Sequence, residues 1–444
     1  MKILIITSSH PTKSAGIVAY DLFKGLKEIN GNEVRILTKA WDKYKDDNII
    51  SIDSNMKEYL YRVWDLRRRI IKKLLKVLFG YKVNEEPKIK IKTNPDYAMM
   101  VPDQTETYYK TKKLLMRAGF IPDAILALFL PRFISYKNLY ELNQITKAPV
   151  FLYLQDMAQM TGGCHYAWNC KEYMKKCGKC PALYSSDEQD QSRINWEYKK
   201  GYLDKTDITA IVSSEWQYLN LQNSSLLADK PKHKILLGID SELFKPGDKK
   251  QAREYLNLPL DKTIIFFGAV FYLRNRSKGF KELIEALNIL KSNLKSVSCI
   301  HLAIAGNGDK ALNDIVPFDY TYLGYLNFNQ LATAFQAADI FVCPSLQDAG
   351  PMTIRQSIMS GTPVVAFEMG VALDLVHTGE TGYRAKLGNV GDLANGLKNI
   401  IELDLDNYNK MSCNCRELGL KLYCPPQQSK NIFNVIENVL VDKS

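Results

Sequence analysis

The sequence predicts an α/β protein of two doubly wound, Rossmann-like domains facing a cleft, on three observations. Short apolar runs alternate with helix-period stretches, the pattern that builds parallel sheets. The runs fall into two series, parted at 244–248 by FKPGD, whose Pro and Gly suit a hinge. At 444 residues the chain can give each series its own core.

The candidate strands of the first series are 2–7, 33–38, 124–130, 150–154, 208–213 and 234–239. Those of the second are 263–267, 301–305, 321–323, 340–342 and 363–367. A helix is expected at 249–256, just past the hinge. Cys424, Pro425 and Pro426 interrupt the last helical region, and an amphipathic helix is expected at 431–441. The domains are thus 1–244, 245–424 and a terminal segment, 425–444.

Composition is that of a soluble globular protein, 46% hydrophobic and 24% charged. The opening KILIITSSHP is too short an apolar run for a signal region, and no run reaches the roughly 18 residues a membrane span needs. A cytoplasmic protein is expected.

The net charge of +11 raises anionic partners. Much of it sits at 57–82, KEYLYRVWDLRRRIIKKLLKVLFGYK, with nine Lys or Arg against two acids. Ile70, Ile71, Leu74, Leu75 and Leu78 recur at helical spacing between the bases, so the segment suits an anionic membrane surface. Each base there adds on the order of 1 kcal/mol. A solvated basic face on a core-facing helix accounts for the same pattern. Nucleic acid is not expected, because no binding motif accompanies the charge.

The stretch 340–370, IFVCPSLQDAGPMTIRQSIMSGTPVVAFEMG, reads strand, polar loop, helix, turn, strand. A helix starting there aims unpaired N–H groups and a partial positive charge at the mouth of an α/β crevice, which suits a phosphate. Pro351 fits the first helical position, Gly350 permits close approach of a ligand, and Asp348 accepts hydrogen bonds from hydroxyls. Gln356 follows on the same helix. An ordinary capped helix in a buried layer explains these residues equally well.

This segment, with DLVHTGETGYRA at 374–385 after it, resembles the acidic-x7-acidic signature of the retaining GT-B glycosyltransferases of family 4. Asp348 and Gln356 stand where that family has Glu. A second match, YLQDMAQMTGGCHYAWNC at 153–170, resembles a subgroup reading His-Asp-Met-x-x-x-Thr-Gly-Gly-Cys-His-Tyr. Gln155 takes the place of its His.

The resemblance implies a GT-B fold, with an acceptor-side first domain, a nucleotide-sugar-binding second domain and a tail crossing back to the first. It implies metal-independent transfer with retention, from a UDP- or GDP-sugar to a lipid-linked or oligosaccharide acceptor in cell-surface polysaccharide synthesis. Location on the inner face of the cell membrane follows by the same association.

Residue by residue, the loop FFGAVFYLRNRSKGF resembles the family's pyrophosphate-holding loop. Lys278 matches its Lys, and Arg274 or Arg276 replaces its Arg, since Ala269 follows the strand Gly. With the N–H groups around Gly350 to Met352 nearby, these form the expected leaving-group set. Gly16 is what remains of a Gly-Gly loop over the donor, and AGNGD at 305–309 resembles a turn near the base. Asp156 is the candidate to orient or deprotonate the acceptor, Gln155 to contact a sugar; capping of a following helix explains Asp156 as well. Lys278, Asp348 and Asp156 are the catalytic candidates. Substitutions at Gln155, Asp348 and Gln356 keep a second function open, a catalytically silent scaffold in a synthase complex.

Four of the nine cysteines, Cys164, Cys170, Cys177 and Cys180, cluster in CHYAWNCKEYMKKCGKC. The Cys-Gly-Lys-Cys end has metal-knuckle spacing, and a structural zinc is expected over an iron–sulfur centre. Four reduced thiols in a packed loop is the other reading. His165 is not expected to be a ligand.

Overall fold

The computed structural model describes residues 1–11, 16–29, 31–39, 46–52, 91–99, 101–294, 298–307, 312 and 314–442. The basic segment 57–82 lies outside them.

Among the described residues, thirteen strands form two wholly parallel sheets. The first contains β1 (Lys2–Thr7), β2 (Glu33–Thr38), β3 (Ile49–Ser51), β4 (Ala124–Ala127), β5 (Val150–Leu154), β6 (Ile208–Val212) and β7 (Lys232–Lys234), in the order β3-β2-β1-β4-β5-β6-β7. The second contains β8 (Thr263–Gly268), β9 (Ile300–Ala305), β10 (Tyr320–Gly324), β11 (Ile340–Cys343), β12 (Val364–Phe367) and β13 (Gly382–Ala385), in the order β10-β9-β8-β11-β12-β13. Both sheets reverse direction of build, between β1 and β4 and between β8 and β11. In open α/β sheets ligands settle at the carboxyl ends of strands flanking such a switch.

The central strands are apolar throughout because helices cover both faces. In β1, Leu4 and Ile6 enter one core and Ile3 and Ile5 the other, all fully buried. In the second sheet Phe266 and Phe341 pack on one face, and Ile265, Phe267 and Val342 on the other.

Several elements differ from expectation. β3 and β13 were not anticipated; both are short edge strands, and β13 carries an exposed Arg384. The strand expected at 234–239 ends at Lys234. The apolar residues beyond it turn inward instead, with the Ile239 N–H bonded to Tyr423 O at 3.0 Å. Pro425 and Pro426 begin the last helix, Pro425–Val441, in the first-turn positions where no N–H is needed. That helix packs on Ile17–Glu28, sharing a core in which Ile432 and Ile436 lie with Val18 and Leu22.

Candidate active site

Gly279 shapes the site locally. It has φ +64°, and a Cβ there would stand 1.8 Å from Pro344 O. Glycine therefore lets the turn Arg276–Lys278 pass against the end of β11 before the helix Phe280–Asn293 begins. That passage brings Lys278, from the loop after β8, to Asp348, from the loop after β11. Lys278 Nζ lies 2.7 Å from Asp348 Oδ2. The Asp348 carboxylate holds the ammonium well above the ordinary lysine range against the pull of burial, and Tyr166 adds to the effect.

Asp348 Oδ1 accepts from the Gly350 N–H at 3.1 Å. Pro351 caps the helix Met352–Met359, one place earlier than the first helical position expected of it. The N–H groups of Met352 and Thr353 meet no acceptor among the described residues, as a helix start leaves them. Lys278, Asp348, Gly350, Pro351 and Met352 line one cleft of about 1100 Å³ at the carboxyl ends of β8 and β11. Tyr166 of the first domain closes part of it, its phenol pushed up by the Asp348 carboxylate and by burial.

Other expected donor residues lie differently. Gln356 is 2% exposed and its Oε1 has no partner among the described residues. Both arginines are exposed, and Arg276 turns away from the cleft, its guanidinium 5.1 Å from the Trp168 ring centroid and 3.9 Å from Asp96. Neither arginine lines the cleft that Lys278 and the helix start share. Gly16 heads Ile17–Glu28, where a Cβ would collide with His10 O at 2.0 Å, so close packing accounts for it. Gly308 and Asp309 of the AGNGD turn lie outside the described residues.

One buried cation escaped the sequence reading. Arg355, fully buried, donates to Gly350 O at 2.9 Å and across the domains to Ser213 O at 2.7 Å. Ser214 Oγ adds a bond to Ala349 O at 2.6 Å. A charged residue amid the apolar side of a helix was the available signal.

On the first domain, Asp156 Oδ2 stands 2.6 Å from His165 Nδ1, and its Oδ1 accepts from the Ala158 N–H at 2.7 Å. Burial alone would raise this carboxyl; His165, the Ala158 N–H and Lys199 together bring it below the usual range. Lys199, fully buried, ties the loop from inside by donating to Ala158 O and Thr161 O at 2.6 and 2.8 Å. Burial lowers its ammonium to about 8. Gln155 Nε2 is buried with no partner among the described residues.

Cys164, Cys170, Cys177 and Cys180 surround one small pocket. Among the described residues, however, no three or more His, Cys, Asp or Glu side chains are grouped to hold a metal ion. All four are free thiols that burial pushes up, Cys177 to about 12, and Cys177 Sγ accepts from the Gly162 N–H at 3.1 Å. The zinc expectation thus finds no support, and packed thiols describe the cluster.

Comparison with known proteins agrees with this geometry. Residues 261–403 match the family model described as glycosyl transferases group 1. Over 178 residues the chain is 28% identical to a D-inositol 3-phosphate glycosyltransferase of Mycobacterium leprae, covering 37% of this chain and 39% of that protein. The chain thus spans about two fifths of that curated relative.

Among solved structures, a sucrose-phosphate synthase from Thermosynechococcus elongatus superposes with TM-score 0.65 at 18% identity, covering 99% of each chain. HepE of Anabaena in complex with UDP and glucose gives 0.59 at 16%, covering 99% of this chain and 100% of that one. The fold is that of the GT-B glycosyltransferases, and the second domain carries the group 1 sequence pattern.

Proposed function

We propose that this chain is a glycosyltransferase that moves a sugar from a nucleotide-sugar donor, through a cleft in which Lys278 and the start of helix Met352–Met359 hold the diphosphate. The observation that carries the reading is their convergence at the β8/β11 switch, inside the segment matching group 1. Neutralising a departing diphosphate supplies most of the barrier reduction such a site can offer, about 3 kcal/mol per well-aimed donor. The buried, unpartnered Gln356 Oε1 suits a ribose hydroxyl. HepE, which binds UDP and glucose, favours UDP as the first nucleotide to try.

Family resemblance adds the finer terms: retention, no metal, and a lipid-linked or oligosaccharide acceptor in cell-surface polysaccharide synthesis. In that scheme the acceptor hydroxyl bonds to the anomeric carbon on the face the diphosphate leaves. The C–O bond to phosphate breaks with its electron pair going to the diphosphate, which also takes the hydroxyl proton. Asp156 acts on the acceptor side.

Slow hydrolysis of a UDP- or GDP-sugar, read as free nucleotide and cut about a hundredfold in Lys278→Ala, is the expected result. Hydrolysis of neither by wild type favours the scaffold reading, which the existing Lys278–Asp348 pair and the neutral Gln356 motivate. Peripheral binding to an anionic inner membrane surface through 57–82 is part of the proposal. None of the helices among the described residues is long and apolar enough to cross a membrane. Replacing Arg68, Arg69, Lys72 and Lys73 with Glu is expected to abolish co-sedimentation with anionic liposomes; unchanged binding overturns the membrane assignment.

A further inference from the structure

We propose that a second pocket, beside the carboxyl ends of β4 and β5, is a carbohydrate subsite in which His165 Nε2 accepts a hydrogen bond from a sugar hydroxyl. Asp156 fixes the imidazole, and Gln159 Oε1 takes a second hydroxyl. The pocket's role as the acceptor site rests on the transferase reading above; its preference for carbohydrate does not.

The dyad is built to present one nitrogen. Asp156 takes the Nδ1 proton of His165 at 2.6 Å, which leaves Nε2 as the acceptor when the ring is neutral. Among the described residues Nε2 has no hydrogen-bond partner, and His165 lines the pocket. The backbone around it is fixed: His165 N donates to Tyr97 O at 3.0 Å, and Met157 N to His165 O at 3.2 Å.

Gln159 supplies the independent observation. It lines the pocket and is 6% exposed, its Nε2 is spent on Leu128 O at 3.2 Å, and its Oε1 is buried without a partner among the described residues. A buried acceptor left unmatched costs about 1–3 kcal/mol, so a donor-rich ligand is the natural complement.

Charge and shape narrow the class. The lining acids Glu106 and Asp156 are offset by Arg132 and by Lys39 and Lys199, 5.5 and 5.3 Å from the Tyr108 and Tyr136 ring centroids, a mixed wall that suits a neutral ligand. Tyr108 and Phe129 add aromatic rings to the same lining. Rings for C–H faces, with acceptors waiting for O–H groups, describe a neutral sugar. Location fits as well, because Tyr166, the next residue after His165, lines the donor cleft. A sugar held by His165 therefore sits one residue from the cleft.

The test uses the full chain with excess UDP and, one at a time, methyl glucoside, methyl mannoside, methyl galactoside and N-acetylglucosamine, followed by titrated saturation-transfer NMR. At least one sugar is expected to bind wild type. His165→Asn keeps an amide near Nδ1 for Asp156 and removes Nε2, and is expected to weaken that sugar about tenfold, one hydrogen bond's worth. His165→Gln, which returns an acceptor near Nε2, is expected to recover part of the loss.

UDP affinity, measured separately, is expected to stay within about twofold in both variants. No sugar binding to wild type, equal binding by His165→Asn, or parallel loss of sugar and UDP overturns the subsite. Failure of UDP to bind wild type counts against the transferase reading alone, since each sugar titration is repeated without UDP and read by itself.

Discussion

At the scale of single residues, the site is a set of charges placed where the fold makes them expensive to leave alone. Asp156 is the clearest case. Its carboxylate is depressed in the folded protein, so it contributes stability above the ordinary carboxylate range and loses it as pH falls through the depressed value. Asp156→Ala is expected to cost about 2–3 kcal/mol near neutral pH, by leaving His165 Nδ1 and the Ala158 N–H without their charged acceptor. The gap between thermal melts of wild type and variant is expected to narrow progressively as pH falls below about 4; a gap that widens there contradicts the assignment. Sequence made Asp156 visible through its motif, but not its partner. His165 is nine residues away, and only the loop's return through Tyr97 and Lys199 joins them. Arg355 left one local trace, its place among Met352, Ile358 and Met359 on the helix, but nothing local names the Ser213 carbonyl it reaches in the other domain.

At the scale of elements, the loops after β8 and β11 do the positioning, and Gly279 decides whether they meet. Gly279→Ala must adopt φ +64° at about 1–3 kcal/mol and also push Pro344 away. Its expected phenotype is a lower melting temperature with weakened UDP binding, because Lys278 moves off Asp348; unaltered UDP affinity would show that the turn does not place the lysine. The strands flanking these loops were legible because parallel strands covered on both faces read as continuous apolar runs, such as 263–267 and 340–342. Edge strands were not. β7 is Lys-His-Lys, and the apolar run taken for a strand after it serves the contact with Tyr423 instead.

At the scale of the whole molecule, two domains are locked by few but buried contacts, and the cleft inherits their geometry. Arg355→Met removes the bridge between Ser213 O and Gly350 O and leaves two carbonyls unmatched, an expected loss of about 3 kcal/mol in melting experiments. It should also weaken nucleotide binding, since Gly350 opens the helix start. A variant as stable and as tight as wild type would mean that the bridge is dispensable. The plan of two parallel sheets was legible because the apolar runs fall into two βα series. The placement of Arg276 was not, since its neighbours Asp96 and Trp168 belong to the other domain. The central claim is that Lys278 and the Met352 helix start form a diphosphate site. Calorimetry of UDP and GDP with wild type and Lys278→Ala, at low salt and without added metal, tests it most directly. One nucleotide binding wild type and losing about a hundredfold in the variant is the predicted result; equal binding by both proteins, or no binding of either nucleotide to wild type, would contradict it.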